Sequence, residues 1–70
     1  MAVHIRNNTL VEAEVNGKVT AKAYKSDPRS GTWFLGKFIN ERWWVVGTLT
    51  QPMTEAEQRK ALRAVLEIIQ

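Results

Sequence analysis

The stretch from Thr32 to Leu49, TWFLGKFI followed by Asn40-Glu41 and RWWVVGTL, holds all three tryptophans and both phenylalanines of this 70-residue chain. Two runs of aromatic and β-branched residues separated by two turn-forming residues predict a β-hairpin. If Asn40-Glu41 is the turn, a regular ladder runs through Ile39/Arg42, Phe38/Trp43, Lys37/Trp44, Gly36/Val45, Leu35/Val46, Phe34/Gly47 and Trp33/Thr48. Strand side chains alternate between faces, so one face carries Phe34, Gly36, Phe38, Trp43, Val45, Gly47 and Leu49 without a charge. This is the expected core face. The opposite face carries Trp33, Leu35, Lys37, Ile39, Arg42, Trp44, Val46 and Thr48, too apolar for an ordinary solvated surface. Lys37, directly across from Trp44, is placed to lay its ammonium over the indole.

Upstream, residues 2–6 alternate Val3 and Ile5 against His4 and Arg6, a first strand. A loop of Asn7, Asn8 and Thr9 keeps the apolar sets together, setting Ile5 beside Val11, Val3 beside Ala13 and His4 beside Glu12. The second strand, 10–15, ends at Asn16-Gly17, the strongest hairpin signal in the chain. A strict two-residue turn pairs Val15 with Lys18 and mixes the faces of the third strand, 18–24. An extra loop residue or a bulge is therefore expected, giving Val15/Val19, Ala13/Ala21, Val11/Ala23 and Glu12/Lys22. The small Ala and Val side chains of this face leave room for something bulky. Ser26 to Gly31 reads as a surface turn around Asp27-Pro28 rather than a phosphate cradle, because it matches no phosphate-loop spacing.

After Pro52 the period changes. Thr54-Glu55-Ala56-Glu57 has the form of a capping box, with Thr54 as N-cap and Glu57 reaching back to its amide. The helix is expected over 54–69, with Ala61, Leu62, Val65, Leu66, Ile68 and Ile69 as its apolar stripe. Arg59, Lys60 and Arg63 form a basic ridge outside, neutralised by Glu55, Glu57 and Glu67 at helical spacing. The architecture is α+β: an antiparallel meander of four or five strands (2–6, 10–15, 18–24, 32–39, 42–49) with one C-terminal helix on one face, in a single domain spanning 1–70.

At this length a core is only marginally sufficient, and the chain has no cysteine to staple it. Tight packing or oligomerisation must compensate. The lone His4 offers no metal cluster, and no cofactor is expected. The start of the chain lacks a signal-peptide apolar region and no segment reaches membrane-spanning length, so the expected setting is the cytoplasm, away from membranes. Ten Lys and Arg against seven Asp and Glu give a net charge of +3, which permits phosphate binding without demanding it.

No nucleophile, acid/base pair or metal set stands out, and a surface contact is the commoner role for His4 opposite Glu12, so the chain reads as non-enzymatic. The expected site is the second hairpin face: Trp33, Leu35, Lys37, Arg42, Trp44 and Val46 as a surface for a second copy or another protein. The alternative is nucleic acid on the same face, with Trp33, Trp44 and Tyr24 stacking on bases while Lys22, Lys37, Arg42 and Arg6 meet phosphates. Glu12 and Glu14 on that side argue against it.

Overall fold

A computed structural model describes residues 1–52, 54 and 56–69. Five strands, β1 (Ala2–Asn7), β2 (Leu10–Val15), β3 (Lys18–Tyr24), β4 (Thr32–Ile39) and β5 (Arg42–Thr50), precede one helix, α1 (Glu57–Ile68). The strands form one antiparallel sheet in sequence order, with β1 and β5 at its edges. The helix lies over β2 and β3 and reaches β1 and β4. This is the α+β meander that the alternation and the late change of period imply.

Turn chemistry fixes the hairpins. Asn16 and Gly17 have φ of 54° and 77°, and Asn40 and Glu41 have φ of 51° and 65°, the left-handed conformations of a type I′ turn. Asn and Gly tolerate them, whereas Glu41 does not do so readily. At the first hairpin, Asn7 Oδ1 accepts from both Thr9 N and Thr9 Oγ1 at 2.8 Å. Val3↔Ala13, His4↔Glu12 and Ile5↔Val11 pair as the apolar pattern requires.

The ladder shifts register at three places. One is Arg6 in β1, where the turn then keeps only Asn8 and Thr9 instead of the expected three residues. The other two are bulges that redistribute the faces. Between β2 and β3 the pairs Val11↔Ala23, Glu12↔Lys22 and Ala13↔Ala21 hold, then Glu14↔Val19 and Val15↔Lys18 follow, so Thr20 is the extra residue. The irregularity thus sits inside β3, the turn keeps two residues, and the expected Val15/Val19 pair does not form. Between β4 and β5 the ladder is regular from Ile39↔Arg42 to Gly36↔Val45, then resumes at Leu35↔Gly47 and Trp33↔Leu49. Val46 is the extra residue. Leu49 is thereby carried to the face of Trp33 and Leu35.

The hairpin's core face is consequently the reverse of the expected one. Ala23↔Leu35 and Ala21↔Lys37 put Leu35 and Trp33 on the face of Val11, Ala13, Ala21 and Ala23. Those small side chains leave depth for an indole beneath a helix. The buried core is Val11, Ala13, Ala21, Ala23, Trp33, Ala61 and Val65, flanked by Val3, Leu35, Leu49, Leu62, Ile68 and Ile69. Trp33 is its largest fully buried side chain. Stacked elements of this size stabilise chiefly by removing such apolar area from water, about 25 cal/mol per Å².

The helix start also differs. It begins at Glu57 with Ala56 as N-cap and no side-chain cap; the Thr54 carbonyl accepts from Glu57 N at 3.0 Å. The capping box does not form because the Glu57 carboxylate is engaged in the core. Gln58 Nε2 instead ties this end to the β1–β2 turn through Asn7 O at 3.5 Å and Asn8 Oδ1 at 3.2 Å. The expected pairing of Glu55 with Arg59 lies outside the described residues. Lys60 and Arg63 are exposed and make no ion pair with a described residue, so the expected pairings of Lys60 with Glu57 and of Arg63 with Glu67 do not form.

Candidate functional site

With the helix on one side, the sheet's other face is open. It carries Tyr24 beside Phe34 and Phe38 beside Trp43, since these are register partners on adjacent strands. Their ring centroids lie 5.7 Å and 5.3 Å apart, tilted at 32° and 56°, distances at which aromatic pairs attract. Gly36 separates the two ring pairs along β4 and sits opposite Lys22. A Cβ at Gly36 would meet Trp43 Cε3 at 3.4 Å and Lys22 Cγ at 3.5 Å, so the glycine leaves the trough through which Lys22 runs. Lys22 Nζ lies 4.2 Å from the Trp43 ring centroid and 5.1 Å from that of Tyr24. Lys18 Nζ lies 4.7 Å from the centroid of Phe38. Both ammoniums are held by ring quadrupoles instead of carboxylates.

The acidic side chains of this face are occupied at its other end. Arg6 Nε sits 2.9 Å from Glu12 Oε1, Arg6 Nη2 3.6 Å from Glu14 Oε1, and His4 Nε2 4.0 Å from Glu14 Oε1. His4 is paired with Glu12 in the ladder but approaches Glu14, while Arg6, the bulged residue of β1, takes Glu12. The face thus divides into an ion network on β1 and β2 and an aromatic and lysine half on β3 to β5.

The residues expected to make the site are split by the fold. Trp33 is fully buried, which removes it from any surface, and Leu35 packs partly against the core. Lys37, Arg42, Trp44 and Val46 remain on the outer part of the hairpin, with Trp44 and Val46 exposed by 52% and 47%. Lys37 pairs with Trp44 in register, but the ammonium contacts with rings are made by Lys18, Lys22 and Lys25. Tyr24 and Lys22 lie on the open face together, with Arg6 at its far side.

A buried polar cluster went unread in the sequence. Lys25 Nζ donates to Glu57 Oε1 at 3.0 Å, Pro28 O at 3.1 Å and Ser30 O at 3.2 Å, which uses all three of its protons. The indole of Trp33 donates to Glu57 Oε2 at 3.4 Å, and Gln51 Nε2 donates to the Glu57 carbonyl at 2.7 Å. The 26–31 loop therefore turns carbonyls inward around a cation, the reverse of an anion cradle. Two signals were present. Lys25 continues the Ala21, Ala23 alternation, and Glu57, Ala61 and Val65 recur every fourth residue on the buried side of α1.

Comparison with protein-family models, with curated proteins and with solved structures gives no match. Among the described residues there is no group of three His, Cys, Asp or Glu able to hold a metal, and no helix is long and apolar enough to cross a membrane.

Proposed function

We propose that this chain is a non-enzymatic interaction module that pairs with a second copy of itself through the edge strand β5. The observation that carries this reading is four consecutive exposed apolar residues on an edge: Trp43, Trp44, Val45 and Val46, exposed by 40%, 52%, 58% and 47%. Such an edge presents unpaired backbone donors and acceptors beside apolar side chains, and strand addition satisfies both at once. Trp43 and Val45 lie on the open side with Phe38 and Gly36, while Trp44 lies on the side of Lys37. A helix or loop laid against one side covers only half of the apolar set.

A second copy added at the edge brings neighbours to the apolar side chains of both sides at once. In an antiparallel pairing about a twofold axis, residues opposite one another share a face, which sets Trp44 against its own symmetry mate and Trp43 against Val45. The bulge at Val46 ends the regular stretch, so the pairing is confined to Trp43–Val45 about the Trp44 axis. A core of this size without a disulfide gains from such an interface.

Light scattering on a size-exclusion column at low and high salt tests the reading. A dimer insensitive to salt is expected. Trp44→Glu, which sets two carboxylates face to face at an already exposed position, should give a monomer with an unchanged circular dichroism spectrum. A wild-type monomer at high concentration, or a dimer unaffected by this substitution, defeats the proposal.

A further inference from the structure

We infer that the open face of β3, β4 and β5 binds single-stranded nucleic acid, stacking bases on Tyr24, Phe34, Phe38 and Trp43 and passing phosphates to Lys18 and Lys22. The inference does not rest on self-association, since Tyr24, Phe34, Phe38, Lys18 and Lys22 lie on β3 and β4, away from the edge, and only Trp43 belongs to β5 as well. Two observations carry it. The first is the pairing of rings across strands on the face the helix leaves free. The second is charge. Neither Lys18 nor Lys22 makes an ion pair with a described residue, whereas both carboxylates of the face, Glu12 and Glu14, lie against Arg6.

The position of the lysines gives a mechanism. A ring holds an ammonium less firmly than a phosphate does in a charge-assisted hydrogen bond. When a strand arrives, Lys22 can leave Trp43 and Tyr24 for a phosphate, and the ring faces it covered become free for bases. One movement thus supplies both halves of the contact. Phe34 and Phe38 are four residues apart on one strand, about 13 Å, so the two ring pairs make separate stacking stations on either side of the Gly36 trough. Every base has a π-face and every nucleotide a phosphate, so the site reads neither sequence nor sugar and takes DNA and RNA alike. A duplex hides its base faces and is not a ligand for these rings.

The repulsion expected from Glu12 and Glu14 is confined to the β1 and β2 side. There Arg6 meets both carboxylates. A strand running along β4 stays on the other half of the sheet.

The test is fluorescence anisotropy of short labelled oligo-dT and oligo-rU, with a labelled duplex beside them, titrated at several salt concentrations. Both single strands should bind with similar affinity, more tightly than the duplex, and weaken steeply with salt. The double variant Lys18→Gln, Lys22→Gln should reduce the salt slope by about 1.4, the value for the counterions that two neutralised phosphates of a single strand release. Phe34→Leu or Trp43→Leu should each weaken binding about tenfold with the slope retained. Repeating the titration on Trp44→Glu keeps loss of self-association separate from loss of binding, and this variant should bind as the parent does. No binding at low salt overturns the inference. So does binding that prefers the duplex, or binding that the lysine and ring variants leave unchanged with their folds intact.

Discussion

Lys25 and Glu57, 32 positions apart, form an ion pair at 3.0 Å with the lysine side chain 1% exposed. The pair joins the end of β3 to the first turn of α1, and the Trp33 indole closes it from the core side. A buried charge with one partner removed is far worse than no charge at all. Lys25→Met should therefore cost about 3–5 kcal/mol, and the double variant Lys25→Met, Glu57→Leu should recover a substantial part of the loss. Urea unfolding of the three proteins checks this. Equal losses in the single and double variants would show that the pair matters through its shape and not its charge.

The two faces of the hairpin predict opposite behaviour for its tryptophans. Trp33→Ala empties the centre of the core and should cost about 3–5 kcal/mol at any protein concentration. Trp44→Ala removes no core contact and, within the chain, only the 3.4 Å donation from its indole to the Ile39 carbonyl, so most of any loss of melting temperature belongs to assembly and should vanish on dilution. Thermal melts over a range of concentrations separate the two. A concentration-independent loss for Trp44→Ala would place that ring in the fold of the single chain.

The chemistry of alternation and turns made the meander and its helix legible. The five strands and the β1–β2 register follow from apolar spacing, and the space above Ala13, Ala21 and Ala23 was visible as a run of small residues. The side of the β4–β5 hairpin that faces the core was not. Both its faces are apolar, so hydrophobic pattern alone does not choose between them, and the choice is made by β3, whose pairing aligns Ala23 with Leu35. The bulge at Val46 leaves no local mark among β-branched neighbours. Glu57 read as a cap because a carboxylate at the third helical position usually has only local partners. Its partner, Lys25, becomes visible only when the helix is laid on the sheet.

Glu41 is a conformational cost that the sequence declares. It sits at φ 65° in the Asn40-Glu41 turn, where any side chain crowds the backbone and glycine does not. Glu41→Gly should stabilise the protein by about 0.5–1 kcal/mol, a rise of about 4 °C in Tm for a chain of this size. Differential scanning calorimetry reads it directly. A lower Tm would mean that the exposed carboxylate contributes more than the strain removes.

Val46 offers the sharpest test of the register. It is the extra residue between Gly36↔Val45 and Leu35↔Gly47, so deleting it joins two stretches that already have the correct faces. Trp43 and Val45 stay with Phe38 and Gly36, and Gly47 and Leu49 stay with Leu35 and Trp33. The deletion should fold cooperatively, with blue-shifted Trp33 emission retained and stability within about 1 kcal/mol of the parent, the range of a change outside the packed core. Deleting Phe34 from the unbulged partner strand does the opposite. It throws every residue on one side of the gap to the wrong face, including Trp33, and should abolish cooperative unfolding. If both deletions unfold the protein alike, the bulge is needed for more than register, and the twist it adds to the edge is holding the hairpin against the sheet.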